Sequence, residues 1–214
     1  RCKAAMLKAE VPTVPGSPGI VDDAEQAEKI ANEIGYPVLL KSVYGGGGRG
    51  IRLVTNDKEL QEGFETVTSE SIAAVGKSAI IVEKFLEKTR HIEYQMCRDK
   101  HGNAVHLFER ECSIQRRNQK LIEQTPSPIV DEAKREEIGE LVVKAAEAVD
   151  YTNLGTAEFL RADNGEFYFI EINARLQVEH PISEMVSGLD FVKLQLDIAN
   201  GEPLPFKQSD LKMN

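Results

Sequence analysis

The chain has no tryptophan, only three cysteines and no apolar run approaching the roughly 20 residues that cross a bilayer. A membrane-spanning segment is therefore not expected. Cys2, Cys97 and Cys112 are far apart, odd in number and without a C-x-x-C pair. That pattern argues against a zinc ribbon and a disulfide framework, and reads as three free thiols in a reducing cytosol. Positive charge is in deficit, with 26 Lys and Arg against 35 Asp and Glu, a net charge of -9. That balance argues against a general nucleic-acid or anionic-membrane surface, so any anion site must be local. The opening "RCKAAMLKAEVP" has charge but no long apolar core, so no signal peptide is read. It also has no initiator Met, and the chain reads as a piece of something longer. Its 214 residues suffice for one large domain or two small ones.

What is present begins with a connector, "VPTVPGSPG" (11–19), rich in Pro and Gly. Asp22 or Asp23 can then cap a helix with Ala27, Ile30, Ala31 and Ile34 on one face, ended by Gly35 and Pro37. "YPVLLKSV", "GIRLVT" and "SAIIVEKFL" read as strands. Between the last two, Asn56 and Glu59 resemble a capping box opening a helix with Leu60, Phe64 and Val67 inward. This makes a small α+β unit over residues 13–85, preceded by an entry segment over 1–12. Residues 86–214 form the second part. "RHIEYQMCRD" alternates at Ile92, Tyr94 and Met96, and "KHGN" turns it back into "AVHLFERECSI". Asp131 caps an amphipathic helix with Ile138, Leu141, Val142, Ala145 and Val149 on its stripe. A second hairpin, a helix with Pro181 in its first turn, and a helix over 191–199 complete the chain.

The stretch "VLLKSVYGGGGRGIRLV" contains G-x-G-x-x-G at Gly45, Gly47 and Gly50. A dinucleotide fingerprint needs a helix after the glycines, and a strand follows here. A Walker A loop must end in Gly-Lys-Ser/Thr, and this one ends in Arg-Gly. The loop is either a phosphate-covering flap built from bare backbone N–H groups or a flexible hairpin tip. Lys41, on the strand entering it, favours the flap.

The strongest signal lies downstream. Asn164-Gly165 suits a two-residue type I′ turn. That register sets Asp163 opposite Glu166, Leu160 opposite Phe169 and Glu158 opposite Glu171, with Asn173 on the same face. The flanking residues are apolar, so the hairpin is expected to be central and buried. Opposed buried carboxylates repel and need compensation. A hard cation bridged by Glu158, Glu171 and Asn173 is one solution, with Mg²⁺ or Mn²⁺ fitting. Neutralisation by arginine, or a sheet edge open to water, is the other. The same polypeptide then supplies Arg175, Gln177 and Glu179 in "NARLQVEHP": a cation, an amide and a candidate general base. Upstream, "SIQRRNQKLIEQTP" adds Arg116, Arg117 and Lys120.

Together these segments resemble the ATP-grasp domain of the biotin carboxylase family. The resemblance covers nearly the whole chain. It rests on the glycine stretch, "IVEKFLEKTRHIEYQ", "ERECSIQRRNQK", "GTAEFL" and "FYFIEINARLQVEHPISEMVSGLD". It implies an α+β fold with a small lid subdomain and a larger antiparallel-sheet subdomain. It implies ATP- and Mg²⁺-dependent carboxylation of carrier-bound biotin by bicarbonate, through carboxyphosphate. Lys41 and the loop of Gly46, Gly47 and Gly48 would contact phosphates, and Glu83, Lys84 and Leu86 the adenine. His91 and Gln115 would lie near ribose and phosphates. Glu158 and Glu171 would bind the metal, with Asn173 assisting. Lys120, Arg175, Gln177 and Val178 would hold bicarbonate, Glu179 would deprotonate it, and Arg175 would steady developing charge. Asn118 stands where many members carry His. Partners would be a biotin carrier domain and a carboxyltransferase, in the cytoplasm, with a homo-oligomer possible. A carbamoyl-phosphate synthetase domain and an inert ATP-binding fragment are the rival readings. The resemblance also implies flanking domains that this chain lacks, and poor turnover by the chain alone.

Overall fold

The computed structural model describes residues 2–44 and 50–214. The expected flap glycines Gly46, Gly47 and Gly48 lie outside the described residues. The elements run α1 (Cys2–Lys8), α2 (Ala24–Ile34), β1 (Val38–Ser42), β2 (Ile51–Val54), α3 (Asp57–Val75), β3 (Ile80–Lys84), β4 (Arg90–Arg98), β5 (Ala104–Arg116) and β6 (Gln119–Gln124). They continue with α4 (Glu132–Ala148), β7 (Asn153–Arg161), β8 (Phe167–Asn173), α5 (His180–Ser187) and α6 (Phe191–Ala199). The chain divides into two compact units, Val14–Glu87 and a larger one of residues 1–13 with 88–214.

In the smaller unit β1 is the centre of an antiparallel sheet ordered β2-β1-β3. Leu40 and Val38 of β1, Val82 and Ile80 of β3 and Val54 of β2 share a core with Ala27 and Ala31 of α2 and Leu60 and Val67 of α3. Asp23 caps α2 by accepting the Gln26 N–H, and Gly35 ends it at φ 78°. Asn56 caps α3 through the Glu59 N–H, as expected. The reciprocal bond differs: Glu59 accepts from the Thr55 N–H and hydroxyl, one residue before the cap. Gly63 lets α3 approach the sheet, because a Cβ there would lie 3.1 Å from Val54 and 3.3 Å from Leu40.

The larger unit is built on an antiparallel sheet ordered β6-β5-β4-β7-β8. Side chains alternate across its two faces. Ile92, Tyr94, Met96, Ala157, Phe159 and Phe169 point to one face and pack with Ile138, Val142, Ala145 and Ala146 of α4 and Met6 of α1. Each large apolar side chain among them contributes about 1.5–3 kcal/mol when fully buried. The N-terminal segment is thus part of this core: α1 packs on it, and Pro12 accepts the Phe169 N–H.

Several expectations change here. β6 was not expected; a two-residue turn with Arg117 at φ 52° and Asn118 at φ 64° folds the basic segment into a hairpin. Val149 is not on the α4 stripe but follows the helix, 37% exposed. The β7–β8 hairpin also turns differently. Only Gly165 has positive φ, and the Ala162 N–H bonds Glu166 O, so Ala162 rather than Asp163 opposes Glu166. Leu160 consequently faces Tyr168, not Phe169. An irregularity between Glu158 and Phe159 then takes up Ile170, and Glu158 faces Glu171 after all. Two one-residue shifts of opposite sign cancel. The hairpin is not central throughout: β7 is interior, but β8 is the edge of the described sheet, and Glu171 is exposed.

Candidate functional site

The second face of the large sheet carries the chemistry. Along β4 the residues opposite the α4 core are Cys97, Gln95, Glu93 and His91; along β7 they are Leu154, Thr156 and Glu158. Each row runs from apolar to charged. The apolar end, with Val105 and Leu107 of β5, is covered by Phe191, Leu194 and Ile198 of α6. The polar end lies beside α5.

A bulge in β5 makes that polar end possible. Residues 107 and 108 together oppose Gln95, and Phe108 adopts φ 67°. A bulky residue in this conformation costs about 1 kcal/mol or more. The extra residue reverses the parity of β5. Without it, Leu107 and Arg110 would face opposite sides. With it, Arg110 and Cys112 join Leu107 on the second face, and Arg110 pairs in register with Glu93.

Arg110 is fully buried, so every donor needs an acceptor. Its Nε donates to Glu93 Oε1 at 2.9 Å. Its Nη1 reaches Gln95 Oε1 at 2.9 Å and Ser183 Oγ at 2.8 Å. Its Nη2 reaches Gln177 Oε1 at 2.6 Å and Thr156 Oγ1 at 3.3 Å. Lys120, on β6, stands among three carboxylates. It donates to Glu93 Oε2, to Glu158 Oε1 at 2.8 Å, and pairs with Glu179 Oε1 at 2.9 Å. Glu158 Oε1 also accepts from Asn173 Nδ2 at 2.8 Å and Gln177 Nε2 at 3.0 Å. His91 Nε2 faces Glu158 Oε2 at 3.1 Å.

Burial by itself raises the Glu93 and Glu158 carboxyls. His91, Arg110 and Lys120 beside Glu93, and His91 and Lys120 beside Glu158, more than reverse this, and both groups are held below the usual range. Burial pulls His91 down, but Glu158 and Glu93 carry it to about 9. The carboxylates of Glu93 and Glu158 therefore face the cations His91, Arg110 and Lys120 at neutral pH, which makes their burial tolerable.

The structure brings together Lys120, Gln177, Glu179, Glu158, Asn173 and His91. Gln115 is the register partner of Lys120 and donates to Cys112 O. Glu171 lies opposite Glu158 on the exposed edge. Arg175 and Val178 are both exposed, Val178 by 91%. In the smaller unit Lys41 forms an ion pair with Glu83, whose register partner is Leu39; Lys84 donates to Gly35 O and Tyr36 O; Leu86 is half-buried. Glu93, Gln95, Arg110, Thr156 and Ser183 are absent from the sequence-based set. The alternation of Ile92, Tyr94 and Met96 marks one buried face, but not that Glu93 and Gln95 between them are buried too.

Two donor sets suit a cation. Glu158 and Glu171 with Asn173 offer hard oxygen ligands, the kind Mg²⁺ and Mn²⁺ take. His91, Glu93 and Glu158 also place one ligand atom each within 4.8 Å of one another. Glu93 and Glu158 already neutralise Arg110 and Lys120, whereas Glu171 is exposed and the Glu158 Oε2 atom faces only His91 in the bonds above. The exposed carboxylate of Glu171 keeps Glu158, Glu171 and Asn173 as a candidate set for a hard divalent ion.

The family described as "Carbamoyl-phosphate synthase L chain, ATP binding domain" matches residues 1–207. A 2-oxoglutarate carboxylase small subunit of Hydrogenobacter thermophilus is 52% identical over 214 residues, all of this chain and 45% of the relative. A biotin carboxylase of Nostoc is 50% identical over 209 residues, 98% of this chain and 47% of the relative. The chain thus spans about half the length of these curated relatives. Among solved structures, the biotin carboxylase domain dimer of the H. thermophilus enzyme, with MgADP, ADP and bicarbonate, superposes with TM-score 0.94 at 52% identity, covering 99% of this chain and 47% of that one. A Campylobacter jejuni biotin carboxylase bound to a β,γ-ATP compound gives TM-score 0.94 at 48% identity, with 99% and 47% covered. The chain belongs to the family of carbamoyl-phosphate synthase L chain ATP-binding domains, has the α+β ATP-grasp fold, and is similar over its length to part of the biotin carboxylases.

Proposed function

We propose that the protein carrying this chain is a biotin carboxylase, using ATP and a divalent metal to carboxylate carrier-bound biotin with bicarbonate. The observation that carries this reading is the placing of Lys120 at 2.8 Å from Glu158 and 2.9 Å from Glu179. One cation thereby joins a candidate metal carboxylate to a candidate base.

In this reading Glu179 takes the bicarbonate proton while Lys120 and the Gln177 amide hold the resulting anion. Bicarbonate oxygen then attacks the γ-phosphorus, the bond to ADP breaks, and carboxyphosphate forms. Its breakdown gives CO₂ and phosphate; the phosphate takes the proton of the biotin ureido N–H, and the freed nitrogen bonds to CO₂. Phosphoryl transfer of this kind demands positioning and positive charge more than covalent help. Glu158, Glu171 and Asn173 would hold Mg²⁺ or Mn²⁺, which supplies charge neutralisation at the phosphate oxygens. Arg175, exposed here, would act on the anion once substrate is present, with Val178 beside it. His91 and Gln115 would serve ribose and phosphates. Lys41 would serve phosphates, and Glu83, Lys84 and Leu86 adenine. A biotin carrier and a carboxyltransferase would be the partners, possession of an oligomeric state would follow the dimeric relative, and the cytoplasm would be the setting. The buried free thiols Cys97 and Cys112 support that last assignment.

The test is ATP cleavage by the full-length protein. Bicarbonate-dependent cleavage stimulated by free biotin and unaffected by ammonia is expected. Stimulation by ammonia instead would move the assignment to carbamoyl-phosphate synthesis, and no cleavage under either condition would leave an inert nucleotide-binding domain.

A further inference from the structure

Arg110 occupies the centre of the charged layer yet contacts none of the groups given a chemical step above except Gln177. We infer that Arg110 is a positioning residue that locks the polarity of the Gln177 amide, and so turns its NH₂ toward Glu158. This inference rests on the biotin carboxylase reading for its substrate, bicarbonate.

A guanidinium carries five N–H donors and no acceptor. Only the carbonyl end of the Gln177 amide can therefore face Arg110 Nη2, 2.6 Å away. The opposite end, Nε2, is left to donate to Glu158 Oε1 at 3.0 Å and toward Glu93 Oε2 at 3.4 Å. Reversing the amide would aim its NH₂ at Arg110 and its oxygen at two carboxylates. Both contacts would be repulsive in a buried setting, where unpaired polar groups are costly. Gln177 itself is 3% exposed, so water cannot substitute.

The remaining bonds hold the arginine plane. Gln95 of β4 and Ser183 of α5 accept from Nη1, and Thr156 of β7 accepts from Nη2. Lysine has one donor centre and cannot span these acceptors. Arg110 reaches this position only because the Phe108 bulge turns it to the second face. The residue that orients the amide is thus set by a backbone irregularity two positions earlier.

The experiment compares Arg110→Met, Arg110→Lys, Gln177→Met and Arg110→Met/Gln177→Met in the full-length protein. Thermal unfolding is recorded for each, and KM is measured separately for bicarbonate and ATP. Loss of the locked amide is expected to raise the KM for bicarbonate about tenfold, with the KM for ATP within about twofold of the parent. Because Arg110 acts through Gln177, the double variant should be no worse than Gln177→Met alone. Arg110→Lys keeps the charge and serves if Arg110→Met does not fold; it too should raise the KM for bicarbonate. A folded Arg110 variant with parental KM for bicarbonate would overturn the inference, as would effects that multiply in the double variant. If the parent cleaves no ATP with bicarbonate, the functional reading fails, and the positioning is read from the Gln177 side-chain amide resonances. They should be slowly exchanging in the parent and lose that protection in Arg110→Lys; unchanged protection overturns the inference.

Discussion

The two faces of the five-stranded sheet use alternate residues of the same strands and hold together by opposite means. Toward α4, Tyr94, Phe159 and Phe169 stack edge to face, with centroids 6.3 and 5.8 Å apart across Phe159. Shape and area suffice there, and any well-fitting apolar set would serve. On the other face, buried Glu93, Arg110 and Glu158 and half-buried Lys120 bind only as a complete set. Removing one partner strands another charge. Such a layer adds little stability for its complexity, but it fixes donors and acceptors in defined directions, which chemistry requires.

The sharpest separation of the faces comes from Glu171→Gln. Glu171 is exposed at the sheet edge, so thermal unfolding should stay within about 0.5 kcal/mol of the parent. Metal-dependent ATP cleavage by the full-length protein should fall about a thousandfold. Unchanged turnover would remove Glu171 from the metal set. The mirror experiment is Phe159→Ala, on the fully buried apolar side. Urea unfolding should show a loss of about 3–5 kcal/mol. Retained stability would mean that the apolar face does not carry the fold.

A smaller effect tests the apolar end of the second face. Asp99 accepts from the Asn103 side chain and from the Leu204, Asn103 and His101 N–H groups, tying the β4–β5 turn to the segment after α6. Burial pushes its carboxyl up, these bonds outweigh burial, and it sits at about 2 against an ordinary 3.8. The folded value is depressed, so the contribution is present above about pH 4 and disappears as pH falls through 2. It amounts to about 2 kcal/mol. Urea titrations from pH 5 to pH 2 should show that loss in the parent and not in Asp99→Asn; parallel curves would contradict it. The smallest effect probes how tightly α4 seats on its face. A Cβ at Gly139 would meet the buried His106 ring at 2.3 Å. Alanine should gain about 1 kcal/mol of helix propensity and lose more to the clash, for a net loss of about 1 kcal/mol. A rise in melting temperature would show that the ring has room to move.

Much of this architecture is legible along the chain because its rules are local. Asp23, Asn56 and Asp131 cap helices through N–H groups three residues away. Gly35 and Gly201 end helices within one turn, and alternating Ile92, Tyr94 and Met96 mark a strand face. Charge balance and cysteine spacing likewise need no coordinates, and the segment of Glu171, Asn173, Gln177 and Glu179 is recognisable by its residues. The tertiary structure decided what depends on partners far away. Whether Glu93 is solvated or buried depends on Arg110, Lys120 and Gln177, up to 84 residues distant. Whether Arg110 faces chemistry or α4 depends on one extra residue at Phe108. Glu158 meets Glu171 through two irregularities that no turn preference reveals. A buried charge is specified by its neighbours in space, and a side-chain period of two inverts at every bulge. Composition and local pattern therefore set the elements, and long-range pairing chose which of their faces became the site.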